Sequence, residues 1–140
     1  MYTYFTMARE DEIVGMKTIS DVLVHLEKTV PMLGGYVGLD AISSLSNVFL
    51  HNGPKPPKQT NHSLADGSRF YLLDREVCQR IASSEHEELL DASVPWDEES
   101  WQGTNVNRMD LAGFLLDLSA LCKQANTQNT SVYVLLSKED

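Results

Sequence analysis

The sequence predicts an α+β fold: a small antiparallel or mixed sheet packed against several helices, in one domain spanning residues 1–140. Three observations predict it. Runs rich in aromatic and β-favouring residues stand at both ends of the chain, YTYFTM at Tyr2 to Met7 and VYVLL at Val132 to Leu136. Several stretches between them place apolar residues at helical spacing. The resulting order of strand, helices, strand, helices, strand suits helices laid on a small sheet. A chain of 140 residues is close to the commonest domain size and can bury roughly two-thirds of its unfolded surface.

Taken in order, the opening strand is followed by an acidic turn at Glu10 to Glu12. From Thr18 to about Val30, Ile19, Val22, Leu23, Leu26 and Val30 form one apolar helical face, which Pro31 and the Gly34–Gly35 pair end or kink. Asp40 is a good N-cap for a second helix carrying Ile42, Leu45, Val48 and Phe49, stopped by Asn52-Gly53-Pro54. Residues 52–68 hold three prolines and two glycines and almost no apolar periodicity, so they read as a long surface loop.

A short strand is expected over Arg69 to Leu73, then a helix capped by Asp74 that carries Val77, Cys78 and Ile81. Ser84 and Glu87 form a potential capping box for a further short turn through Leu89 and Leu90, with Pro95 ending the region. The clearest helix begins after Asn107. Its stripe is Leu111, Phe114, Leu115, Leu118, Leu121, Cys122 and Ala125, and it stops near Asn126 to Asn129. A closing strand and a charged tail complete the chain; pairing of the first and last strands would bring both ends into one sheet.

Composition excludes several classes. No apolar run approaches the roughly 20 residues that span a bilayer, and MYTYFTMARED lacks the pattern of a secretory signal, so a cytoplasmic protein is expected. In that compartment Cys78 and Cys122, both on apolar helical patterns, read as buried free thiols. A net charge of −9 disfavours direct binding to nucleic acid or an anionic membrane and favours a basic partner. The charge is local: Glu85, Glu87, Glu88, Asp91, Asp97, Glu98 and Glu99 follow one another with no Lys or Arg among them.

No catalytic motif, metal site or cofactor is expected. The zinc-protease pattern needs a second His four residues after His86, where Leu90 stands. Gly34-Gly35-Tyr36-Val37-Gly38 lacks the Lys and hydroxyl of a phosphate loop. His25, between Val24 and Leu26, reads as a hydrogen-bonded structural histidine.

The segment VPWDEESW stands apart, because Trp96 and Trp101 bracket Asp97, Glu98 and Glu99. Either the rings plug the edge of the core while the acids are solvated, or rings and acids together form an interface. The second option makes Glu85, Glu87, Glu88, Asp91, Trp96, Asp97, Glu98, Glu99 and Trp101 the expected partner-binding residues.

With the strand YTYFTM, this acidic Trp-containing segment and the closing NRMDLAGFLLDLSALCKQANTQNTSVYVLLS, the chain resembles in general type the immunity proteins of bacterial toxin systems. The resemblance spans the whole chain loosely, rests on no signature motif and transfers no site residue. It implies a non-enzymatic protein that blocks a cognate toxin, such as a basic nuclease, by mimicking phosphates or plugging its active site. The alternative is a small enzyme or ligand-binding domain whose site is assembled around residues 52–68, with His62 and Asp66. An adaptor with an obligate partner ranks third, since the apolar residues of the last long helix suit its own core. The oligomeric state is left open.

Overall fold

The computed structural model describes residues 3–27, 32–33, 37–104 and 106–137. The chain runs β1 (Thr3–Ala8), α1 (Glu10–Gly15), α2 (Ile19–Glu27), β2 (Met32–Leu33), α3 (Leu39–Leu50), β3 (Lys58–Ser63), β4 (Arg69–Leu72), α4 (Arg75–Ser83), α5 (His86–Ser100), α6 (Arg108–Thr127) and β5 (Ser131–Leu136). This is the α+β fold expected. The five strands form one sheet in the order β2-β1-β5-β4-β3, and every neighbouring pair is antiparallel.

The first and last strands do pair, along their whole length, from Thr3 opposite Leu136 to Ala8 opposite Ser131. β5 is therefore the central strand, and its unbroken apolar run follows from burial on both faces. Val132 and Val134 enter the larger core with α3, α4, α5 and α6, while Tyr133 and Leu135 enter a smaller core with Ile13, Met16, Val22 and Phe70. Helices thus cover both faces of the sheet. The larger core also takes Leu111, Leu115, Leu118, Leu121, Cys122 and Ala125 from α6, the stripe predicted from the sequence apart from the half-buried Phe114.

Caps set the helix starts. Asp74 accepts from the Val77 amide at 3.3 Å and Asn107 from the Asp110 amide at 2.9 Å, each satisfying an amide the helix leaves free. Asp40 is not a cap: α3 begins at Leu39, two residues earlier than such a cap requires, with Gly38 at the N-cap position. The thiols of Cys78 and Cys122 are free and buried, 3.1 Å apart where α4 crosses α6.

Four further expectations need correction. The acidic turn at Glu10 to Glu12 is the first turn of α1, where three acids face the positive end of the helix. Residues 52–68 are not a loop throughout, because the polar run KQTNHS forms the edge strand β3. An edge strand has one ladder to make and can be solvated on its open side, so it shows no apolar alternation. Pro95 does not end the acidic segment, since α5 continues through it to Ser100. The lost hydrogen bond is offset by the burial of Leu89, Ser93 and Trp96 along one side of α5.

Finally, α2 exposes two of its apolar residues, Leu23 and Val24, so the face predicted there is narrower than drawn. The predicted helical residues Lys28 to Val30, the breakers Pro31, Gly34 and Gly35, and the last three residues lie outside the described residues. No helix among those described is long and apolar enough to cross a membrane.

Candidate partner-binding surface

The expected interface divides by helical period. On α5, Leu89, Ser93 and Trp96 are buried, whereas Glu87, Asp91, Val94 and Glu98 are exposed. The second set falls at i, i+4, i+7 and i+11, which makes one straight stripe along the outer face. Leu90, also exposed, lies beside it. The stripe is therefore three carboxylates with two exposed apolar side chains among them.

Both tryptophans turn into the core instead of standing among the exposed acids, so the expectation that rings and acids share one surface is corrected. Trp96 is fully buried, and its indole N–H donates to the Ala41 carbonyl at 2.8 Å. It meets Trp101 edge-on at 5.4 Å between ring centroids and lies 5.6 Å from Phe114, which in turn meets Phe5 at 5.4 Å. This chain of rings ties α5 and α6 to β1. Edge-on contacts of this kind exploit the ring quadrupole and add to the area buried.

The remaining acids have partners within the fold. Glu88 accepts from the Arg80 guanidinium at 2.8 Å and from the Glu85 amide at 3.1 Å. The Arg80 hydrogen bond first, and the Glu85 amide second, hold the Glu88 carboxyl below the usual carboxylate range. The second bond closes the N-terminus of α5, so the reciprocal cap uses Glu85 and Glu88 in place of the expected Ser84 and Glu87. Asp97 pairs with Arg108 at 3.4 Å, and Glu99 accepts from the Asn47 side-chain amide at 2.6 Å. Among the described residues Glu85, Glu87, Asp91 and Glu98 form no ion pair. Those four carry uncompensated charge. A shallow groove of about 290 Å³, lined in part by His51, Arg80, Glu88, Asp91 and Pro95, runs beside the stripe.

Residues 52–68 hold a second candidate. His62, on β3, lines a cavity of about 330 Å³ with Glu10, Lys58, Thr60 and Tyr133. The His62 imidazole is 3.9 Å from the Glu10 carboxylate. Burial, and then the charge of Glu10, push the Tyr133 phenol up. Asp66 serves the β3–β4 turn instead, its carboxylate accepting from the Ser68 amide at 2.8 Å. His25 sits 2.9 Å from the Met7 carbonyl, as expected of a structural histidine. No three His, Cys, Asp or Glu side chains among the described residues converge as metal ligands would.

The sequence names the carboxylates of the stripe, Glu87, Asp91 and Glu98, but not Leu90 and Val94, because a linear segment does not show which side chains share a face. The missing signal is the helical phase of positions 87 to 98, which a terminator at Pro95 hides.

The fold and surface define an α+β protein with an acidic helix face. No protein-family model matches the chain, and no curated protein matches it. Among solved structures it is similar to YfbM of Escherichia coli, a protein of unknown function. That likeness has a TM-score of 0.46 and 15% identity, and it covers 98% of this chain and 100% of the other.

Proposed function

We propose that the chain is a small cytoplasmic binding protein of bacterial type that neutralises a basic toxic enzyme by covering its active or substrate-binding site. The observation that carries this reading is the outer stripe of α5: Glu87, Asp91 and Glu98 without an ion pair among the described residues, with Leu90 and Val94 exposed among them. Carboxylates in a row present a nuclease or other cationic enzyme with the charge its substrate carries. They speed and select the encounter, while the two apolar side chains supply area that loses water on contact. The partner is a protein, and neither nucleic acid nor a membrane is bound directly.

The test is inhibition of the basic partner, once purified, by an equimolar amount of this protein. The triple variant Glu87→Lys, Asp91→Lys, Glu98→Lys should keep the helical circular dichroism of the wild type and lose the inhibition. Equal inhibition by wild type and variant would remove the stripe from the account.

A second reading has one observation in its favour, the cavity that gathers His62, Glu10 and Tyr133. A small enzyme or ligand-binding protein would act there, with imidazole and phenol as the proton-handling groups. His62→Ala would then abolish turnover or ligand binding. Under the first reading it leaves inhibition intact.

A further inference from the structure

A separate groove of about 400 Å³ opens where α5 ends and α6 begins. Its apolar wall is built by Trp101, Leu111 and Phe114. Asp110 and Asp117 also line it, and among the described residues no Lys or Arg does. Neither carboxylate forms an ion pair among the described residues. The two stand seven residues apart on α6, on one face of the helix and roughly 10 Å apart along its axis. Gly113 lies between them, and a side chain added there would meet nothing within 4 Å, so the groove is open over that residue.

Trp101, only 9% exposed, contributes a second kind of feature. Its indole N–H is buried and has no hydrogen-bond partner among the described residues. A buried donor without an acceptor is costly, and a small turn of the ring toward the groove would let a ligand carbonyl relieve that cost.

These features select the occupant. Two unpaired carboxylates beside aromatic and aliphatic walls suit a cation on an apolar stem. Arginine fits better than lysine, because the planar guanidinium stacks on aromatic rings while its edge pairs with a carboxylate. At their separation one guanidinium reaches one aspartate, and the other deepens the negative field. A second copy of this chain is disfavoured, since each copy carries a net charge of −9.

We infer that this groove receives an arginine side chain of a basic partner protein, with the adjoining peptide carbonyl accepting from the Trp101 indole. The inference deepens the proposed function and rests on it for the partner's basic character. The site is distinct from the α5 stripe: the stripe steers the approach, and the groove anchors one residue.

The test uses the isotope-labelled full chain and two capped tripeptides, one with a central arginine and one with neutral citrulline in its place. Two indole N–H signals are expected, one from each tryptophan, and Trp101→Phe assigns them. The arginine peptide should move the Trp101 indole and Gly113 amide signals saturably, and the citrulline peptide should not. The double variant Asp110→Asn, Asp117→Asn should weaken the response roughly fivefold, the size expected of a partly exposed charge pair. Gly113→Leu should abolish it by filling the groove, at a position with room for the new side chain.

Equal shifts with citrulline, an undiminished response in Gly113→Leu, or no saturable shift with arginine would each overturn the inference. Charge reversal at Glu87, Asp91 and Glu98 should leave the titration unchanged. If the reversals abolish capture of the partner while arginine leaves Trp101 unmoved, the groove falls and the binding reading stands. If arginine binds while the reversals leave the partner's inhibition intact, the steering stripe falls and the groove stands.

Discussion

Trp96 and Trp101 lie within the same short acidic segment as Asp97, Glu98 and Glu99, and folding sends rings and acids in opposite directions. Trp96 fills the junction of α3, α5 and α6, where its N–H meets the Ala41 carbonyl. Replacing a fully buried Trp with Ala costs about 3–5 kcal/mol. Trp96→Ala should lower the urea midpoint accordingly, and Trp96→Phe should cost less, with about 1 kcal/mol of it for the lost hydrogen bond. An unchanged midpoint in Trp96→Ala would mean that this ring is not a core residue. The residue type alone left core and interface equally open, because Trp serves both. What separated them was phase along a helix, and phase requires knowing that the helix continues past Pro95.

At the scale of elements, strong apolar periodicity was legible and weak periodicity was not. α6 and α4, with the caps Asn107 and Asp74, follow directly from residue spacing, as do β4 and the first and last strands, β1 and β5. β3 was hidden because an edge strand of KQTNHS buries little and carries no alternating pattern. α1 was hidden because six residues hold only one buried apolar side chain, Ile13. α5 was cut short by the rule that Pro breaks helices. That rule yields here to the burial of Leu89 and Trp96 on either side of the missing bond.

Pro95→Ala should therefore stabilise the protein by about 1–2 kcal/mol. The full interior penalty of about 3 kcal/mol is partly offset by the freedom that Ala restores to the unfolded chain. Thermal unfolding measures it, and a fall in midpoint would show that Pro95 is tuned to this helix by its packing.

At the scale of the whole molecule, the excess of carboxylates sets both stability and association. Glu88 is held below the usual range by Arg80 and the Glu85 amide. Asp21 is held below it by the amides of Lys17 and Thr18, at 2.8 and 3.1 Å. For a depressed carboxylate the linked stability is present above the unfolded pKa and is lost as pH falls through the folded one. The midpoint of unfolding should therefore fall on acidification from about pH 5 downward. Glu88→Gln and Asp21→Asn should each lower the neutral value and flatten the acid slope. A slope identical to wild type in both would contradict these assignments. Under the proposed function, association with a basic partner should slow as salt rises.

The most direct test of the account is side-by-side capture from a lysate of the source organism. The wild-type chain and the Glu87→Lys, Asp91→Lys, Glu98→Lys variant are compared at low and high salt, with partners identified by mass spectrometry. The account predicts one basic protein in near-equal amount with the wild type, reduced by salt and absent with the variant. Capture of the same protein by both chains, or of none by the wild type at either salt, would contradict it.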